Sequence, residues 1–220
     1  MNSATAETET VISRDVRIAY HESAHLTVGR ALGAAFGGAT IVENTDLGYG
    51  GLCWGTDHKA AFSSEGSSTV IEQISSLMPG DGDTRDDDTT LIYAHVHNRV
   101  VELCAGSEAE RMQFGDAWAA TDDRKQEKAL VALIYSSPEA QRLFIEACAA
   151  EARAILGRHA DVVDALAAAL VEHRTLDGEQ IDETISRAVA ARQLQQEYER
   201  RRQWREMQAR AERFEQQCRV

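Results

Sequence analysis

Proline is nearly missing from this 220-residue chain, which holds two, and aromatic residues make up 6% of it. Leu, Ala and Glu are plentiful, and apolar residues recur at helical rather than alternating spacing, so the sequence excludes a strand-rich fold and predicts a mainly α one. No run of about 18 apolar residues occurs, and the N-terminus lacks the basic-then-apolar build of a signal peptide. A cytoplasmic protein without a membrane segment is the expectation. Cys53, Cys104, Cys148 and Cys218 lie far apart with no C-x-x-C pair, which argues against a disulfide framework or a thiolate zinc site. Positive charge is scarce: Lys and Arg number 23 against 36 Asp and Glu, a net charge of −13. Residues 187–220 hold nine Arg against five Glu, a surplus of four, so the remainder carries −17. Such a body repels nucleic acid. The Arg-rich end offers a surface for RNA or an acidic protein, but arginines interleaved with Glu and Gln more commonly form a solvated helical face.

Residues 1–14 are small, polar and acidic, too poor in apolar surface to offset the entropy of ordering them, and read as a flexible tail. A body over 15–186 and a helical extension over 187–220 follow. From Asp15 the chain predicts a helix of four or five turns, with Gly33 and Gly37 as stop signals. Two short apolar runs between Thr40 and Gly55, separated by turn residues, suggest an irregular β-hairpin or a pair of edge strands. Further helices are expected at 67–77, 89–113, 123–135, 137–156 and 159–173. The acidic, breaker-rich stretch 78–90 reads as an exposed loop, and it lacks the ligand spacing of an EF-hand. Another helix starts near Thr175-Leu176-Asp177, with Asp177 or Thr175 placed to cap it, and continues to the C-terminus. In that extension Trp204, Met207, Ala211, Phe214 and Cys218 have the 3-4 spacing of a short coiled-coil seam; packing back on the body is the alternative.

The chemistry concentrates in His21-Glu22-Ser23-Ala24-His25, an H-E-x-x-H pattern. On a helix the i, i+4 spacing puts both imidazoles on one face, where each can offer a nitrogen to one metal ion. Glu22 then lies beside the metal without having to ligate it. A carboxylate there can take a proton from an attacking water and pass it to the leaving amine, the chemistry of amide hydrolysis. Alternatively the histidines lie on an ordinary helix surface with Glu22 in a salt bridge. Zinc needs a third protein ligand, and no H-E-x-x-H-x-x-G-x-x-H follows. By residue type Glu108, Glu110, Asp116, Asp122, Asp123, His95 and His97 are candidates, although on a helix His95 and His97 point apart.

Several segments together resemble the peptidase domain of FtsH-type AAA proteases. Ile18-Ala19-Tyr20-His21-Glu22-Ser23-Ala24-His25 is similar to that family's A-Y-H-E-x-G-H helix, and Leu47-Gly48-Tyr49-Gly50 to its L-G-Y strand segment. Ala105-Gly106-Ser107-Glu108-Ala109-Glu110-Arg111 through Phe114-Gly115 resembles its G-G-R-x-A-E-E-x-x-F-G helix. Thr121-Asp122-Asp123 resembles its S-N-D, and Thr175-Leu176-Asp177-Gly178-Glu179-Gln180-Ile181 its T-L-x-G-x-E-I. These motifs keep the family's order over residues 15–186. The resemblance implies a multi-helix zinc peptidase with His21, His25 and Asp123 as metal ligands and Glu22 as catalytic base. The loop before Asp123 is one residue shorter than in the family, which leaves Asp122 as an alternative. Leu47, Gly48 and Tyr49 would bind an extended substrate by backbone pairing.

Departures from the pattern are Ala24 for a Gly, Ser107 for an Arg, and the lack of any G-x-x-x-x-G-K-[ST] phosphate loop. The resemblance therefore implies a zinc metalloendopeptidase without its own motor, acting on peptides or unstructured protein, or relying on a separate ATPase or adaptor. A catalytically degenerate zinc-binding assembly module and a regulatory peptidase dedicated to one partner are the alternatives. A homo-oligomer is a further implication, since the family's peptidase domains form rings.

Overall fold

The computed structural model describes residues 13–46, 49–56, 87–118 and 120–218, with 87–90 given by backbone alone. Among these the chain is mainly helical. Its elements are α1 (Arg14–Ala31), β1 (Phe36–Thr40), β2 (Leu52–Gly55), α2 (Asp87–Phe114), α3 (Thr121–Ile134), α4 (Pro138–Arg158), α5 (Ala160–His173), β3 (Thr175–Asp177) and α6 (Gly178–Cys218). Local chemistry sets several boundaries. Gly33 takes φ +91°, which lets the chain leave α1. Ser137 caps α4 through its Oγ, which accepts from the Ala140 N–H, and Pro138 opens the first turn. At α6 the Asp177 carboxylate accepts from the Gln180 N–H while the Gln180 side-chain oxygen accepts from the Asp177 N–H, a reciprocal cap.

Helix α1 is enclosed by two apolar clusters. On one side Ala24 and Val28 pack with Val96, Val100 and Val101 of α2, Leu130 of α3 and Ala152 of α4. On the other Ile18, Ala19 and Leu26 meet Ala39 of β1, Leu166 and Leu170 of α5, Leu176 of β3 and Ile181 of α6. Each fully buried Leu or Val contributes about 1.5–3 kcal/mol. That stabilisation offsets the cost of holding His21, Glu22, Ser23, His25 and Thr27 of the same helix away from water. The small sheet has the order β2-β1-β3 and is antiparallel throughout, with Ala39 opposite both Cys53 and Leu176. A Cβ at Gly38 would stand 2.2 Å from the Trp54 ring, so only glycine lets that indole lie across the strand.

Several sequence expectations need correction. Helix α1 ends at Ala31, ahead of both glycines, and Gly37 lies within β1, which is the central strand and not an edge. Among the described residues of the predicted hairpin, Thr40 and Leu52–Gly55 are in strands, which pair antiparallel; β1 starts earlier, at Phe36. Thr175 is not a cap, because it pairs with Thr40 in β3. The expected loop 78–90 gives way to α2 at Asp87, and the expected helix 67–77 lies outside the described residues. Trp204, Met207 and Phe214 do not pack back on the body but are more than 60% exposed. Among the described residues no helix is long and apolar enough to cross a membrane.

Candidate metal centre

One helical turn separates His21 from His25, and their Nε2 atoms lie 3.1 Å apart. Asp123, in the first turn of α3, brings Oδ2 to 3.0 Å from His21 Nε2 and 3.5 Å from His25 Nε2. Donors about 2.0–2.2 Å from one ion in a tetrahedral arrangement stand about 3.3 Å from one another, so the three converge at the spacing a single cation requires. Two imidazoles and one carboxylate leave a fourth position open, as in catalytic rather than structural zinc sites. This group could hold a metal ion.

Second partners orient both rings. His21 Nδ1 is 2.7 Å from Glu110 Oε1, and His25 Nδ1 is 2.8 Å from the Glu102 carbonyl. A ring that donates from Nδ1 keeps its Nε2 lone pair available for a metal. Glu110 is fully buried, and its Oε2 also accepts from the Trp118 N–H. The same carboxylate thereby ties α2 to the connection that delivers Asp123. Arg99 donates to the Glu102 carboxylate at 2.6 Å and to Gln126 of α3 at 3.3 Å, bracing the turn of α2 that holds His25. Helix α2 can approach His21 this closely because residue 106 is glycine: a Cβ there would meet three ring atoms at 2.4–2.7 Å.

Glu22 is buried beside the two histidines. The Cys53 thiol donates to its Oε2 at 3.2 Å, so β2 lies directly against the carboxylate. Gly51 permits this approach, since a Cβ there would stand 2.6 Å from Glu22 Oε1. Burial raises the Glu22 carboxyl above its ordinary value, and the neighbouring imidazoles only partly oppose the rise. Burial and then the Glu22 charge push the Cys53 thiol well up, which keeps it a proton donor. Burial alone would lower His21, yet hydrogen bonds to Asp123 and Glu110 outweigh it and raise the imidazole to about 10. His25 rises in the same way, burial being outweighed by Asp123. Burial would raise Asp123, but the charges and hydrogen bonds of the two histidines hold it well below the carboxylate range. The pocket is therefore one in which positive charge is favoured, as a cation site must be.

The other candidate ligands lie elsewhere. Asp122 is exposed and pairs with Lys125 at 2.9 Å, and Asp116 pairs with Arg17 at 2.6 Å. Glu108 is buried but engaged by Arg111 and Arg153. His95 is exposed, and His97 pairs with Glu151 at 3.2 Å. Leu47 and Gly48 fall outside the described residues, while Tyr49 exchanges two backbone hydrogen bonds with Asn44. Sequence reasoning missed the parts played by Glu102, Cys53, Gly51 and Arg99. Only the paired glycines Gly50 and Gly51 gave any signal, as a place where backbone must come close to something. No family model and no curated protein matches the chain.

Proposed function

We propose that this chain is a metal-dependent hydrolase, and more particularly a zinc metalloendopeptidase similar to the peptidase domain of FtsH-type proteases. The observation that carries the reading is the convergence of His21, His25 and Asp123 beside a buried carboxylate, Glu22, that the three do not consume. His21, His25 and Asp123 would hold the zinc, which would supply Lewis-acid polarisation of a peptide carbonyl. Glu22 takes the proton of the attacking water and returns it to the leaving nitrogen. The Cys53 thiol fixes Oε2, leaving Oε1 for that transfer. Glu110 and the Glu102 carbonyl hold the two rings in register during the cycle.

Substrate enters as an extended chain along β2 and the segment Leu47-Gly48-Tyr49 before it. Strand β2 is one of the two outer strands of the described sheet and touches Glu22 through Cys53. Backbone pairing there favours peptides and unfolded segments over folded proteins. The test is cleavage of an unfolded casein-like chain by the zinc-loaded protein and by Glu22→Gln. Cleavage by the wild type alone is expected, with a loss of about 10²–10⁴-fold in the variant. A zinc-loaded wild type that cuts no unfolded substrate overturns the reading. It would favour an assembly module, a role that the exposed apolar stripe of α6 supports independently.

A further inference from the structure

Helix α6 is 41 residues long, roughly 60 Å at 1.5 Å per residue, yet its buried residues, Ile181 and Thr184, lie in its first two turns. Near its far end Trp204, Met207 and Phe214 are 61%, 62% and 66% exposed. With Ala211 and Cys218 they form one stripe at 3-4 spacing. We propose that a second copy of this chain covers the stripe, the two α6 helices pairing in parallel over residues 204–218.

Charge selects that occupant. Although the helix as a whole is basic, this segment is balanced: Arg205, Arg210 and Arg213 against Glu206, Glu212 and Glu215. A nucleic acid or an acidic surface gains little from it, whereas an identical helix meets no net repulsion. With Trp204, Ala211 and Cys218 at a and Met207 and Phe214 at d, Gln203 and Arg210 occupy g while Gln208 and Glu215 occupy e. A parallel pair sets g of one helix against the following e of the other. Arg210 of each copy then faces Glu215 of the other, and Gln203 faces Gln208. An antiparallel pair with the same core would bring the two Arg210 side chains together.

Sedimentation equilibrium on the full chain over a concentration series tests this, alongside Arg210→Glu and Arg210→Glu/Glu215→Arg. Both positions are exposed, so the fold survives either change. The wild type should dimerise, Arg210→Glu should weaken the dimer about tenfold by setting Glu against Glu twice, and the double exchange should restore it. A short bismaleimide should link two wild-type chains, and Cys218→Ser should abolish the link. A monomer at every concentration overturns the proposal, as does a dimer indifferent to Arg210→Glu. A monomer that binds an anionic polymer such as heparin through this helix also overturns it and assigns the face to a polyanion. None of these outcomes depends on peptidase activity.

Discussion

Replacing Gly106 with alanine would place a methyl carbon 2.4, 2.5 and 2.7 Å from Cε1, Nε2 and Nδ1 of His21. Ordinary contact begins near 3.4 Å, so the imidazole must retreat by roughly 1 Å, a shift that small-to-large core changes typically impose. Its movement stretches the 2.7 Å contact with Glu110, a carboxylate without access to solvent. Alanine gains about 1 kcal/mol of helix propensity over glycine. Against that stand about 1–3 kcal/mol of overpacking and about 1.5–3 kcal/mol for a weakened hydrogen bond to a charged group. The net destabilisation is about 1.5–5 kcal/mol, or roughly 3–20 °C in Tm for a chain of this size. Zinc affinity should fall at least 10–100-fold, the usual consequence of disturbing a ligand's second partner. Gly157 in α4 supplies the control, because a Cβ there meets nothing within 4 Å; Gly157→Ala should leave Tm unchanged or raised. Thermal unfolding and zinc titration of both variants measure the contrast. A Gly106→Ala protein as stable and as zinc-avid as Gly157→Ala would refute the packing argument.

Two further outcomes follow from the electrostatics. His21, with its imidazole raised to about 10, is protonated at pH 7, so zinc must displace a proton: affinity rises with pH through the neutral range, and calorimetry in two buffers of different ionisation enthalpy should report at least one proton released. A binding enthalpy independent of buffer contradicts this. Glu22 has a carboxyl raised chiefly by burial, so its charge opposes folding above the unfolded pKa and the penalty is relieved as pH falls. Glu22→Gln should therefore melt no lower than the wild type at pH 7 in the zinc-free state, even as cleavage is lost; a lower Tm would show that the carboxylate supports the fold.

Helices read well from the sequence where one face is apolar, so α3, α4 and α5 fall within two residues of their expected bounds. Strands read poorly because their partners are remote. Thr175-Leu176-Asp177 is too short to show alternation, and its pairing with β1 spans some 135 residues. Phe36–Thr40 hides its strand character behind Gly37 and Gly38, the latter required by the Trp54 ring. The histidine pair was legible because helical spacing is local. Asp123 was one of seven candidates by residue type and was singled out only through resemblance, since its approach depends on how α3 docks against α2. Glu110 was a candidate third ligand by residue type, whereas it holds the outer nitrogen of the His21 ring instead. Ala24, where the resemblance calls for glycine, is a fully buried residue of α1 in the apolar cluster it shares with α2, α3 and α4.

Zinc content is the most direct measure of the central claim. Wild-type protein, Asp122→Asn and Asp123→Asn should each be loaded with zinc, dialysed against buffer without chelator, and assayed by elemental analysis. The geometry predicts about one ion per chain in the wild type and in Asp122→Asn, whose side chain pairs with Lys125 at the surface, and a large loss in Asp123→Asn. Full zinc in Asp123→Asn, or none in the wild type, would contradict a metal centre built from His21, His25 and Asp123.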